Sequence, residues 1–337
     1  MMQWLRQQSL TLSLLAAVIL SALTPDWGAR GGHLRSEILI WAGVVVIFLS
    51  QGFLLSRTAL LRGLASWHLH LFSQGWMFLG MPLLAMLGLA LAGDTLAPEI
   101  RLGVFYLSIL PTTIASAIAL IAHAKGNIGA AIFNTVFANL FAVLVVPFWL
   151  VATQFTEVNH ALPLGSTLRQ LTLMVLLPFA CGQLIRIWFH PFESTVARLA
   201  RPLQQSIIVF MVYAAFATSF QEQVWEKVGT WIALQALFAA ILLLFVASAL
   251  ILLSIRVLCS NPTDRIALFF LSSQKSLAVG VPFAIACFSS ISDDPTASAQ
   301  LSIILLPLLF YHPLQLMFAG IILKYKTHLF GKIDILP

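Results

Sequence analysis

The sequence predicts an all-α integral membrane protein of ten transmembrane helices in two inverted repeats of five. Three observations carry that expectation. Of the 337 residues, 60% are hydrophobic and only 9% charged, where a soluble domain carries about 25% charged residues. Ten apolar runs approach or exceed the roughly 20 helical residues that a bilayer core of about 30 Å requires. The connections also alternate in charge: twelve Lys and Arg fall on one side and five on the other. The richer side is cytoplasmic by the positive-inside rule, which places both termini there and demands an even number of spans.

The runs lie near residues 9–25, 38–55, 67–92, 101–123, 127–152, 168–189, 204–220, 231–257, 265–288 and 300–323. The first follows Arg6 and imitates a secretory signal, with Ser21-Ala22-Leu23 as a weak cleavage site. The many apolar runs after it favour an uncleaved first span. The polar connection 190–203, "HPFESTVARLARPL", predicts a short interfacial helix, and the runs divide into two halves, 1–160 and 161–337. Each half holds five spans, an odd number, so the second runs through the membrane in the opposite sense, as in inverted-repeat transporters.

Two matching spans, the fourth of each half, carry signs of a break. In the fourth, Pro111 precedes Thr112 and Thr113 at mid-depth. Proline removes a helical hydrogen bond, and the threonines could satisfy the freed carbonyls. In the ninth, "SSQKSL" (272–277) is followed by Gly280 and Pro282. Lys275 stands ten residues from Arg265, about 15 Å along a helix at 1.5 Å per residue. Its stem is too short to reach that end, and a central lysine costs roughly 2.5–3.5 kcal/mol on insertion scales. Either it serves as a fixed positive charge at a site, or it is a structural ammonium bonded to unwound carbonyls. Other polar residues at comparable depth are Gln74, Ser116, Asn134, Thr135, Asn139, Tyr311, His312 and Gln315. Singly, such residues are ordinarily helix–helix hydrogen bonds. His312 precedes Pro313 and suits either a ligand role or a cap on the carbonyls that proline frees; Tyr213 in the seventh span suits a packing role better than a site.

Several function classes are excluded. The net charge of +6 comes from residues at the ends of apolar runs, without the basic–aromatic clustering of a nucleic-acid binder. Cys181, Cys259 and Cys287 are scattered and form no metal or disulfide frame. All twelve acids sit in loops or at helix ends, which leaves an intramembrane aspartyl protease or a carboxylate proton relay without its working group. No G-x-S-x-G elbow and no P-loop appears. An enzyme is not expected, nor a resident cofactor or metal.

The segments "KGNIGAAIFNTVFANL" (125–140), "FFLSSQKSLAVGVP" (269–282) and "LLPLLFYHPLQLM" (305–317) resemble the bile acid:sodium symporter superfamily. More narrowly they resemble its divergent branch, with solute carrier family 10 member 7 and bacterial symporter-like proteins. "HLHLFSQ" (68–74), "LLPFACGQLIR" (176–186) and "VYAAF" (212–216) fit the same branch. The resemblance implies a panel of spans 1, 2, 6 and 7, a core of spans 3–5 and 8–10, and spans 4 and 9 unwound and crossing. It also implies a sodium site. Thr135, Ser116, Gln274 and Gln74 are the matching candidates, but Phe270 stands where the family carries a glutamate, Ala117 and Ala131 replace two further ligands, and Lys275 replaces an asparagine.

The resulting expectation is a secondary transporter for an anionic organic or inorganic solute, working by alternating access. Lys275 supplies the charge, and Thr112, Thr113, Ser116, Asn134, Ser273, Gln274 and His312 the polar lining. Na⁺ or H⁺ is the candidate coupling ion, with His312 as a proton acceptor. The alternatives are a sodium-coupled organic-anion symporter, or a non-transporting membrane regulator of ion homeostasis. The expected partners are the lipid bilayer and the solute. Short termini and the absence of appended domains point to a bacterial inner membrane.

Overall fold

The computed structural model describes residues 9–55, 67–153, 164–229, 231–288 and 295–331. Arg6, Arg57, Arg62 and Lys332, counted above on the cytoplasmic side, lie outside the described residues, as do Glu157, Asp293, Asp294 and Asp334. Among the described residues every regular element is helical. The principal helices are α1 (Ser9–Leu23), α2 (Ser36–Leu54), α3 (Trp67–Gly75), α4 (Met81–Ala92), α5 (Pro98–Ile109), α6 (Ala115–Ala124), α7 (Ile128–Ala152), α8 (Leu164–Leu171), α9 (Leu177–Phe189), α10 (Glu193–Gln221), α11 (Trp231–Leu258), α12 (Pro262–Ser273), α13 (Leu277–Phe288) and α14 (Pro295–Lys324).

Among the described residues seven helical stretches are long and apolar enough to cross a membrane. With their exposed Leu, Phe, Ile and Trp side chains, they make this an integral membrane protein, since lipid is the only solvent such a surface suits. The difference from ten has local causes. The first apolar helix, Leu12–Leu23, is short; the fourth expected span is divided into α5 and α6; and the sixth and seventh fall within one stretch, Leu168–Gln221. The separate interfacial helix expected at 190–203 is absent. His190–Phe192 form a 3₁₀ turn, and α10 then runs without interruption from Glu193 through Pro202.

The chain forms two compact units. The first comprises Met1–Leu55, Pro147–Leu234 and Gly280–Leu306. Within it α2 packs on α9 at glycines: a Cβ on Gly52 would collide with the Phe179 carbonyl, and one on Gly182 with that of Leu49. Small residues permit such backbone approach in membranes. The same strand of sequence, "CGQLIR", caps the end of α2. Gln183 Nε2 donates to the carbonyls of Gly52 (2.5 Å) and Leu55 (3.0 Å), and Arg186 to that of Phe53 (2.6 Å). Carbonyls at a helix C-terminus lack the usual partner four residues on; that of Gly52 also accepts Leu55 N–H at 3.3 Å. Tyr213 is also structural: its hydroxyl meets the Thr24 carbonyl at 3.0 Å.

The second unit comprises Ser56–Val146, Gln235–Val279 and Pro307–Pro337. Here α3 and α4 are joined through a π-helical turn, Trp76–Gly80, and α12 packs against α3 and α6. Both α5 and α12 begin on a proline, where the missing N–H costs nothing. Asn261 adds a side-chain cap, accepting from Thr263 N at 2.9 Å. The stretch Pro262–Phe288 is buried almost throughout.

Candidate functional site

Two helices in the second unit stop inside apolar sequence and resume within a few residues. The first leaves the helix after Ile109 and resumes at Ala115; the second leaves after Ser273 and resumes at Leu277. Gly280 and Pro282, read from sequence as part of the second break, lie within α13 instead. Breaking a helix at such depth releases main-chain N–H and C=O groups that must find partners, because an unpaired polar group in an apolar setting costs several kcal/mol. The site is the set of partners they find.

Lys275 supplies most of them. Its residue is 0% exposed. Nζ donates to the carbonyls of Ser108 (2.6 Å) and Leu110 (2.8 Å) at the first break and to that of Met77 (3.3 Å) in the π-helical turn. An ammonium has three N–H donors, and three carbonyls take them. The backbone of Lys275 is held by one carboxamide: Gln315 Oε1 accepts its N–H at 2.7 Å, and Gln315 Nε2 donates to its C=O at 2.9 Å. Ser276 N–H donates to the Pro111 carbonyl at 2.9 Å and so ties the two breaks together. Tyr311 OH donates to the Ser273 carbonyl at 2.8 Å, and Asn139 Nδ2 donates to that of Thr112 at 3.2 Å.

The threonines of the first break do something other than expected. The freed carbonyls go to Lys275, Ser276 and Asn139. Thr113 Oγ1 instead pairs with Ser116 Oγ at 2.5 Å and accepts Ala117 N–H at 3.1 Å, capping α6. Thr112 Oγ1 is buried without a partner. The ring of His312 lies against the main chain of Lys275, and its Nδ1 faces Gln315 Nε2 at 3.0 Å. That amide nitrogen is a donor, so Nδ1 serves as acceptor and the ring proton of a neutral imidazole belongs on Nε2.

The remaining candidates divide into groups. Asn134 Oδ1 receives Ser73 Oγ at 2.7 Å and Gln74 Nε2 at 3.1 Å, a cluster between α7 and α3 one turn before Met77. Thr135 is fully buried, but its hydroxyl returns to its own helix at the Ile132 carbonyl. Ser273 Oγ and Gln274 Oε1 are buried without partners, as are Gln74 Oε1 and Asn139 Oδ1. Sequence reasoning noticed Gln315, Tyr311 and Asn139 only as polar residues at depth. Their spacing could have singled out the first two, since Tyr311 and Gln315 stand four apart on one face of α14.

With this geometry described, comparison with known proteins decides the lineage. A model of the SBF-like CPA transporter family matches residues 8–326. The chain belongs to that family. A Pseudomonas aeruginosa relative without a described role is 31% identical over 93% of this chain and 90% of its own. An Escherichia coli K12 protein named "Putative symporter YfeH" is 32% identical over 94% and 92%. "Sodium/bile acid cotransporter 7" of Rattus norvegicus is 27% identical over 96% and 93%. The kinship with the bile acid:sodium symporter superfamily is thereby established, and the family is one of transporters, not enzymes.

The printed name of the rat relative includes sodium. Among the described residues no group of three or more His, Cys, Asp or Glu could hold a metal ion. The buried oxygens without partners are all neutral, and the carbonyls best placed for a cation already hold the Lys275 ammonium.

Proposed function

We propose that the chain is a secondary transporter for a small or organic anion, working by alternating access with Lys275 as its fixed positive charge. The single observation behind this reading is the Lys275 ammonium, fully buried and bonded only to neutral carbonyls. A buried ion costs several kcal/mol unless it is paired. An anion about 4 Å away gains about 4 kcal/mol at an effective dielectric of about 20. The three donors of Nζ are occupied, so the ammonium acts on a solute through its field. Direct hydrogen bonds come from the hydroxyls of Thr112 and Ser273, which lack partners, with Gln274 beside them. The first turns of α6 and α13 add N-terminal dipoles that favour anions. Thr113, Ser116, Asn134 and His312 form the surrounding polar shell.

In this reading α5–α6 and α12–α13 are the unwound fourth and ninth spans of a ten-span inverted repeat, crossing at Lys275. Spans 1, 2, 6 and 7 form the panel, and both termini face the cytoplasm of a bacterial inner membrane. The test is uptake into proteoliposomes. Lys275→Met abolishes transport of the solute that the unaltered protein carries, while the purified variant keeps its helical circular dichroism. Removing the ammonium relieves about 3 kcal/mol of insertion cost but strands the Ser108, Leu110 and Met77 carbonyls at about 1–3 kcal/mol each, so uptake is compared in variant protein whose circular dichroism matches that of the unaltered chain. Unchanged uptake by Lys275→Met overturns the proposal.

A sodium-coupled symporter is the second reading. It is favoured by the printed name of the rat relative and by the buried oxygens Gln74 Oε1 and Gln274 Oε1. Against it, a second cation about 5 Å from an ammonium is repelled by about 3 kcal/mol at an effective dielectric of about 20. The readings separate in a melting experiment. With a fixed ammonium in place, NaCl and KCl at equal ionic strength give the same melting temperature; a rise specific to sodium supports the symporter.

A further inference from the structure

The polar segment 190–203 takes no part in the helix breaks. Most of it belongs to α10, which begins at Glu193 and runs for 29 residues, about 43 Å and longer than a hydrocarbon core of about 30 Å. Its neighbour α2, with 19 residues, matches that thickness, so the end of α2 marks one face of the core. The two helices are antiparallel: Gly43 lies against Ile207 and Met211, and Gln204 Nε2 donates to Ser50 Oγ at 2.7 Å. Ser50 stands one turn before the end of α2. Arg201 and Arg198 stand about 4.5 and 9 Å beyond Gln204 along α10, so they straddle the level at which α2 ends. Arg186 of α9 reaches the same level, at the Phe53 carbonyl.

At that level α10 presents two exposed flanks. Arg198 and Arg201, three apart, share one; Leu199 and Leu203, four apart, share the other; exposed Pro202 joins them. Ala200 is buried on the side turned to the bundle. Both guanidiniums are unengaged: among the described residues neither Arg198 nor Arg201 has a hydrogen-bond or ion-pair partner. The one acid between residues 186 and 204, Glu193, is already bonded to Arg186 at 2.5 Å. We infer that this surface binds an anionic phospholipid, with its phosphate on Arg198 and Arg201 and an acyl chain along Leu199 and Leu203. Guanidinium groups match phosphate oxygens in bidentate fashion. The order in depth is that of a lipid: Leu203 lies deepest, on the core side, and Arg198 outermost, among the headgroups. Trp188, Phe189 and Phe192, each more than half exposed, stand just beyond, and aromatic rings of this kind favour the headgroup level. A free phosphate would leave the leucine flank without use, and a zwitterionic lipid would bring a quaternary ammonium toward two cations. The inference is independent of the solute that the chain carries.

Native mass spectrometry of the full chain in detergent, titrated with dioleoyl phosphatidylglycerol or dioleoyl phosphatidylcholine, measures the lipid retained. A basic side chain near a membrane surface strengthens binding of anionic lipid about fivefold. Phosphatidylglycerol is therefore retained at least about tenfold more tightly than phosphatidylcholine, and Arg198→Gln with Arg201→Gln removes that preference. Arg198→Lys with Arg201→Lys keeps part of it, because lysine still meets phosphate as a point charge. Arg35→Gln, at the opposite end of α2, leaves it unchanged. Glycerol phosphate, which carries the headgroup charge without acyl chains, does not displace the lipid. The variants are compared at matching circular dichroism. Equal retention of the two lipids, a preference that survives the double glutamine variant, or displacement by glycerol phosphate overturns the site. So does a double glutamine variant that turns a dimer into a monomer with its lipid adducts unchanged, since the surface is then an interface between copies of this chain.

Discussion

The two helix breaks of the second unit face the same problem and solve it differently. At the first, five residues (110–114) leave the helix, Pro111 is among them, and Asn139 on the following helix α7 holds one carbonyl, that of Thr112. At the second, three residues (274–276) leave the helix, none is a proline, and Gln315 on the following helix α14 holds both the N–H and the C=O of Lys275. Each broken helix is thus latched by a carboxamide from the helix that comes after it. A proline cannot donate and already disfavours the helix, so the carboxamide at its break holds a carbonyl and no N–H. A break without proline would close into a helix unless both polar groups of its central residue were satisfied elsewhere. The second latch is bidentate because it must also fix the one residue whose side chain is charged.

The largest effect belongs to the latches. Gln315→Leu leaves two buried main-chain groups of Lys275 unpaired, each costing about 1–3 kcal/mol, so it destabilises the protein by about 2–6 kcal/mol. Asn139→Leu strands only the Thr112 carbonyl, and about 1–3 kcal/mol is expected. Equilibrium unfolding in mixed micelles measures both. Equal losses would mean that the two latches are equivalent after all, and a larger loss for Asn139→Leu would reverse the comparison.

The asymmetry explains how much was legible in advance. Pro111 announced its break, because the chemistry of proline is local and travels with the sequence. The second break was expected from the polar run 272–277 together with Gly280 and Pro282 after it, but its bounds were not legible, since nothing local makes Gln274-Lys275-Ser276 non-helical. What holds it open is Gln315, 40 residues away, together with carbonyls 165 and 198 residues distant. Lys275 could be recognised as misplaced, because its burial cost follows from depth alone, but its three acceptors could not be named. The π-helical turn that releases the Met77 carbonyl left no sequence trace. Likewise Thr112 and Thr113 were assigned to the freed carbonyls on chain proximity, whereas the longer reach of Lys275 and Asn139 took them and left Thr113 to cap α6. The apolar spans, by contrast, were visible throughout, because membrane burial imposes composition on every residue of a run.

The smallest effect tests the comparison most sharply. Pro111→Ala restores an N–H and a residue with high helix propensity at the first break, yet the carbonyls around it remain held: Ser108 and Leu110 by Lys275, Pro111 itself by Ser276, Thr112 by Asn139. Re-forming the helix would strand the Lys275 ammonium, a loss larger than the roughly 3 kcal/mol by which alanine outranks proline in a helix interior. The break therefore persists, and uptake and unfolding free energy stay close to those of the unaltered protein, with a change below about 1 kcal/mol. If Pro111→Ala instead abolishes uptake while Gln315→Leu spares it, proline alone organises the site and the charged residue merely fills it.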